Sequence, residues 1–222
     1  MTAPAPLPPP FVDITAGYSD YFERHRLFAA EGLPTIGSSP VKMTPSERLL
    51  LWTLAFALRP AVYLEIGSLE GGSALIVASA FDAAGWPGRL VCVEPEPRFA
   101  PEVWARLAAR TTLVRGFSPA ARPAAREAAG APIGLALVDG DHDAAAVLAD
   151  AEGLVPQLED GAWLLFHDAH MPEVAAGIDR FVAADGARRC DLGWLTREYT
   201  SGVEADGNPR RWGGLRGVVV RA

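Results

Sequence analysis

Five times between residues 62 and 184 a short apolar run is followed by a polar turn and then by a segment with helical spacing. The runs are Val62–Ile66, Arg89–Val93, Thr112–Arg115, Ile133–Val138 and Ala162–Phe166. The helical segments behind them extend to about Ala84, from Arg98 to Arg110, briefly after Pro119, from Asp143 to Leu158, and from Pro172 to Ala184. Strand then helix, repeated this often, has few solutions in three dimensions. Parallel strands need long crossovers, and a right-handed crossover lays its helix back onto the sheet. The fourth and fifth runs are apolar along their whole length, as befits central strands covered on both faces. The expectation is an α/β fold with one Rossmann-like, doubly wound sheet, mostly parallel, and helices on both faces.

Both flanks of this alternation read differently. Thr44-Pro45-Ser46-Glu47 offers a helix cap, a proline at the first helical position and a carboxylate three residues after the cap. Arg59-Pro60 stops the helix that follows. Residues 1–43, proline-rich at the start, read as an N-terminal arm that contacts substrate or a second copy; residues 44–222 read as the main domain. After the last helix, Arg189–Leu195 and Leu215–Arg221 look like strands with no helix between them, which predicts a terminal antiparallel pair. The stretch between, residues 196–214, is long enough for a lid-like loop.

Charge narrows the choice of partner. Twenty Lys+Arg against 27 Asp+Glu give a net charge of −7, which argues against nucleic acid and against docking on a membrane surface. The longest apolar run, Leu49–Leu58, is too short to cross a bilayer. The N-terminus lacks the basic start and long apolar stretch of a secretion signal. Two cysteines, Cys92 and Cys190, make neither a disulfide framework nor a thiolate metal site. The chain therefore reads as cytoplasmic, with a small molecule as its ligand.

In an open α/β sheet ligands bind beyond the carboxyl ends of the strands. Behind the first strand stand Gly67, Ser68, Gly71, Gly72 and Ser73; behind the second, Glu94; behind the third, Gly116, Phe117 and Ser118. Behind the fourth come Asp139-Gly-Asp-His142, and behind the fifth His167-Asp168-Ala-His170, so three of the four histidines fall at these positions. Glycines in the first turn let backbone approach a ligand and free the helix N-terminus to face it. Their spacing is not G-x-G-x-x-G, and Glu65 puts a carboxylate where a pyrophosphate would be repelled and an amine attracted. This disfavours NAD and favours a cationic nucleoside such as S-adenosylmethionine, with Glu94 placed to accept from the ribose hydroxyls.

The Leu64–Ser73 turn, the Val138–His142 segment and Phe166-His-Asp168 together resemble class I S-adenosylmethionine-dependent methyltransferases. Within these they are most similar to the small O-methyltransferases grouped with macrolide-sugar methyltransferases and cephalosporin-hydroxylase-like proteins. The resemblance spans Thr44 to Ala169. It implies about seven strands with the last antiparallel, in agreement with the terminal pair. It also implies that Glu65, Gly67, Ser68, Gly71, Gly72, Ser73, Glu94 and Asp139 bind the nucleoside and that Gly116, Phe117 and Ser118 lie beside the adenine. Phe117 either stacks on the base or packs in the core. Met43 would approach the methyl donor.

Asp139 and Asp168 occupy the family's metal positions, and His167 is the candidate third ligand or a hydrogen-bond partner of Asp168, with His170 as the substitute. An imidazole ligand suits Mn²⁺, Fe²⁺ or Zn²⁺ better than Mg²⁺. His142 matches the family's general base, and its ordinary pKa near 6.5 suits that task. Asp141 would cap the helix behind it. The expected activity is metal-assisted methylation of a hydroxyl on a sugar or secondary metabolite. The acceptor would be held by Phe11–Phe28 and the 196–214 loop, with a homodimer covering the aromatic arm; His25 is assigned to packing there. The alternatives are an accessory protein of an oxygenase that binds the nucleoside without transferring methyl, and an NAD-dependent dehydrogenase.

Overall fold

All five apolar runs form strands, and each hands over to its helix. The structure, a computed structural model, describes residues 12–13, 34–203 and 207–221. In chain order these hold β1 (Val12–Asp13), α1 (Pro34–Ser38), α2 (Pro45–Leu58), β2 (Val62–Ile66), α3 (Gly72–Ala83), β3 (Arg89–Val93), α4 (Pro101–Leu107) and β4 (Thr111–Val114). They continue with α5 (Arg122–Ala129), β5 (Ile133–Val138), α6 (Ala144–Leu154), β6 (Leu158–Phe166), α7 (Pro172–Ala184), β7 (Arg189–Trp194), β8 (Glu198–Val203), β9 (Pro209–Trp212) and β10 (Arg216–Val220). No helix among the described residues is long and apolar enough to cross a membrane.

The main sheet has seven strands in the order β4-β3-β2-β5-β6-β10-β7. β2 through β6 pair in parallel, and β10 enters antiparallel between β6 and β7. The order reverses at β2 and β5, so a crevice opens beyond their carboxyl ends. Alternation along the strands sorts the core into two layers. Val62, Leu64 and Ile66 face α5, α6 and α7, whereas Tyr63 faces α2, α3 and α4. Both layers are apolar because both faces of the sheet are covered.

Local chemistry explains the element boundaries. α2 starts at a capping box in which Glu47 accepts from the Thr44 backbone N–H at 2.6 Å, and it ends on Arg59 in the left-handed region before Pro60. α4 begins at Pro101, later than Arg98, because the proline occupies its first turn. α6 is capped by Asp143, whose side chain accepts from the Ala145 N–H at 2.8 Å. Asp141 makes the preceding turn, accepting from the Asp143 N–H, so the cap lies two residues later than expected. The same helix stops at Leu154, short of Leu158, where Val155-Pro156-Gln157 tightens into a 3₁₀ turn.

Residues 196–214 depart from the lid-like loop expected of them. Their centre is a hairpin, β8 against antiparallel β9, and β1 adds to β8 in parallel, giving a second sheet of three strands. Thr200 pairs with Trp212, and Glu198 anchors the hairpin to α2 by accepting from the Ser46 hydroxyl at 2.6 Å. The expectations for Phe11–Phe28, His25 included, lie outside the described residues except for the backbone of β1.

Candidate active site

The crevice is closed at its centre by a glycine. Gly67 takes φ +87°, and a Cβ on it would sit 2.0 Å from the Asp139 carbonyl oxygen. The Gly67 N–H donates to Val93 and the Asp139 N–H to Ile66, both at 2.9 Å. The turn glycine therefore serves a close approach between β2 and β5. That differs from the close approach to a ligand expected from the sequence. Gly72 is likewise packed against backbone, that of Pro40.

Around this centre lies a cavity of about 540 Å³. Its wall includes Gly67, Ser68, Gly72, Ser73, Glu94, Gly116, Phe117, Ser118, Asp139, His142, His167 and Asp168. Each side chain brings a specific capacity. Glu94 accepts from the Leu69 N–H at 2.8 Å and the Glu96 N–H at 2.9 Å, one bond per oxygen, which leaves each oxygen a free lone pair. Ser68 Oγ is buried, with the Cys92 thiol as its one neighbouring partner among the described residues. Phe117 is 71% exposed, so its ring lies open at the cavity rim and core packing is excluded for it. Ser118 donates to Asp150, whose carboxyl burial raises above its usual pKa.

Three expected residues stand elsewhere. Glu65 does not reach the cavity wall. It is fully buried on the α3 side of β2, accepting from Ser73 at 2.6 Å and from the Tyr63 hydroxyl at 2.7 Å. Strand alternation is the reason: Leu64 and Ile66 take the opposite face and leave Glu65 beneath the start of α3. Burial raises its pKa to about 7 against the lowering effect of those two hydrogen bonds. Gly71, the N-cap of α3, packs on the Phe99 ring outside the wall. Met43 is buried in the core layer that holds Leu51 and Ala55, and it is not part of the cavity wall.

At the β5–β6 end of the cavity three carboxyl groups meet two imidazoles. His167 is 3% exposed. Its Nδ1 lies 3.1 Å from Asp139 Oδ1 and 3.5 Å from Asp168 Oδ2, and its Nε2 lies 3.3 Å from Glu47 Oε2. Burial alone would drive its pKa down, but Asp139, Asp168 and Glu47 hold it well above the usual histidine value. With both nitrogens engaged, His167 is a bridge between α2 and β5.

His142 is placed differently. Its Nε2 stands 3.2 Å from Asp168 Oδ2 and 3.8 Å from Asp139 Oδ1. The ligand atoms of Asp139, His142 and Asp168 all lie within 4.8 Å of one another. One imidazole nitrogen and two carboxylates this close together could hold a divalent ion. The same neighbours count against His142 as a free base. Asp139 and Asp168 push its pKa up to about 10, so beside those carboxylates, with no cation between them, it carries its proton at neutral pH. His170 joins neither group; it stacks on Trp194 at 4.4 Å and tilts against Tyr199, and burial lowers its pKa to about 4.

Sequence reasoning missed Glu47, Gly213 and Gly214 as parts of this site. Glu47 is completely buried; besides capping α2 it meets His167 and accepts from the Gly214 N–H. The Gly213 N–H donates to Asp168, which with the two imidazoles holds that carboxyl below its usual range despite burial. The capping-box position of Glu47 and the paired glycines closing the hairpin were the available signals. A second cavity, of about 640 Å³, opens beside Asp168 and is lined by Val41, Lys42, Thr44, Arg48, Thr200, Trp212 and Gly213.

Residues 64–169, which hold β2 through β6 and the crevice, match the family described as "Methyltransferase domain". Over those residues the chain is a methyltransferase domain. No curated protein sequence matches it. Solved structures share the fold of this methyltransferase at low identity. The cofactor-bound Rv0187 from MTB is 22% identical with a TM-score of 0.59, the match covering 87% of this chain and 89% of that one. TomG, an O-methyltransferase from Streptomyces achromogenes involved in tomaymycin synthesis and solved with S-adenosylmethionine, is 19% identical over 93% of this chain and 90% of its own, with a TM-score of 0.60. An O-methyltransferase from Bacillus cereus in complex with S-adenosylhomocysteine is 18% identical over 86% and 89%, with a TM-score of 0.62.

Proposed function

We propose that this methyltransferase takes its methyl group from S-adenosylmethionine, transfers it to a hydroxyl of a small molecule, and works with a divalent cation held by Asp139, His142 and Asp168. The observation that carries this reading is the meeting of two cavities at one acid. Asp168, Val41 and Lys42 line both, so a donor in the first and an acceptor in the second would face each other across Asp168.

The chain's residues divide the work. Glu94, with one lone pair left on each oxygen, accepts from the ribose hydroxyls, and the open Phe117 ring stacks on the adenine. Ser68 Oγ and the first amides of α3 face the methionine end of the donor. Glu65 acts one layer down: with Tyr63 and Ser73 it fixes the start of α3. When bound, S-adenosylmethionine would supply an activated methyl on a positively charged sulfur and leave as the neutral thioether, and a cation at the three ligands would acidify the acceptor hydroxyl, whose proton passes to solvent water. His167 and Glu47 orient Asp139 and Asp168 from behind, as partners of metal-binding carboxylates commonly do. The acceptor lies against Trp212, Thr200 and Lys42. Substrate alignment then supplies the remaining catalysis.

The test is transfer of a labelled methyl from S-adenosylmethionine to a panel of sugars, catechols and other hydroxyl compounds. Label should appear as an ether, and EDTA or Asp168→Asn should lower turnover at least about 100-fold. Full activity in EDTA would remove the cation from the account. Binding of the nucleoside with no transfer to any hydroxyl would favour an accessory role.

A further inference from the structure

Between α1 and α2 the chain runs without regular structure, yet it lines both cavities through Val41 and Lys42. A segment of this kind has few backbone partners of its own, and the last carbonyls of α1 lack intrahelical donors as well. One side chain satisfies both needs. Arg48, on the first turns of α2 and 5% exposed, donates from Nε to Met43 O at 2.9 Å and from Nη2 to Val41 O at 2.6 Å. Its Nη1 faces Ser39 O at 3.0 Å and Ile36 O and Gly37 O at 3.2 Å. Every second carbonyl of residues 39–43 thus turns to one guanidinium. The opposite side of the segment is closed by Gly72, where a Cβ would sit 2.3 Å from Pro40 O.

We propose that Arg48 is a positioning residue that holds residues 39–43 as a strap between the donor and acceptor cavities, setting the shape of both through Val41 and Lys42. The inference rests on the methyltransferase reading for what the cavities hold, but the clamp itself does not. Arg48 lines the acceptor cavity, yet its planar fork is engaged by the strap's carbonyls. A lysine keeps the charge and loses the fork, so it cannot hold carbonyls on several residues at once.

Hydrogen exchange on the full chain and on Arg48→Lys reads the clamp without any ligand. The amides of residues 39, 41, 42 and 43 should exchange about tenfold faster in the variant, with β2, β5 and β6 unchanged. S-adenosylhomocysteine titration should then show Kd raised about tenfold, and the acceptor KM should rise alongside it with kcat within about threefold. Gly72→Ala, which pushes Pro40 from the other side, should speed exchange in the strap in the same way. Unchanged strap exchange, or a uniform rise across the sheet with nucleoside affinity preserved, would overturn the proposal. A wild-type chain that binds no S-adenosylhomocysteine would overturn the methyltransferase reading instead, while the exchange data still decide the clamp.

Discussion

Glu65 carries the sharpest prediction at the scale of a single residue. Its carboxyl is held near pKa 7 in the fold, against an ordinary value of 4.5. Between those values the folded chain keeps a proton that the unfolded chain has lost, so stability falls as pH rises through this window and levels off above it. The difference between wild type and Glu65→Gln, measured by urea unfolding from pH 5 to 8, should isolate this contribution. The variant should gain about 3 kcal/mol relative to wild type across the window. A pH-independent difference would mean that Glu65 is ionised in the fold. His142 adds a background of its own: raised to about pKa 10, it contributes stability below pH 6.5 that is lost as pH rises towards 10. Because that term is common to both proteins, it cancels in the difference.

At the scale of elements, the meeting of β2 and β5 decides whether the crevice exists. Gly67→Ala would place a methyl 2.0 Å from the Asp139 carbonyl at a backbone angle that L residues avoid. It should cost at least about 3 kcal/mol and abolish nucleoside binding, checked by thermal unfolding and calorimetry. Full stability and affinity in this variant would show that the strands have room to part. The same scale shows what a single sequence conveys. Every parallel strand of the main sheet and the helix behind it were legible, because unbroken apolar runs and prolines at helix starts are local signals. The β8–β9 hairpin was not, since Glu198–Val203 is polar and half-buried and is held by α2 and β1 from far along the chain. Site residues divided in the same way. Asp139, Asp168 and Glu94 follow from position at strand ends. The engagement of His167 depends on Glu47, 120 residues away in sequence, and no spacing rule reaches that far.

For the molecule as a whole, two cavities sharing Asp168 make binding and stability one problem. A ligand specific to the folded state stabilises it by about 2.7 kcal/mol at a hundredfold excess over Kd, so S-adenosylhomocysteine should raise the unfolding temperature of the entire domain. Its acidic character, −7 overall, does not oppose a nucleoside bearing a positive sulfur. The central claim is that the crevice at β2 and β5 is built for that nucleoside, with Glu94 gripping its ribose. Isothermal titration of S-adenosylhomocysteine into wild type and Glu94→Gln tests it most directly. The account predicts one site per chain in wild type and an affinity at least about tenfold weaker in the variant. Equal affinity in the two proteins, or heat from NAD and none from S-adenosylhomocysteine, would contradict it.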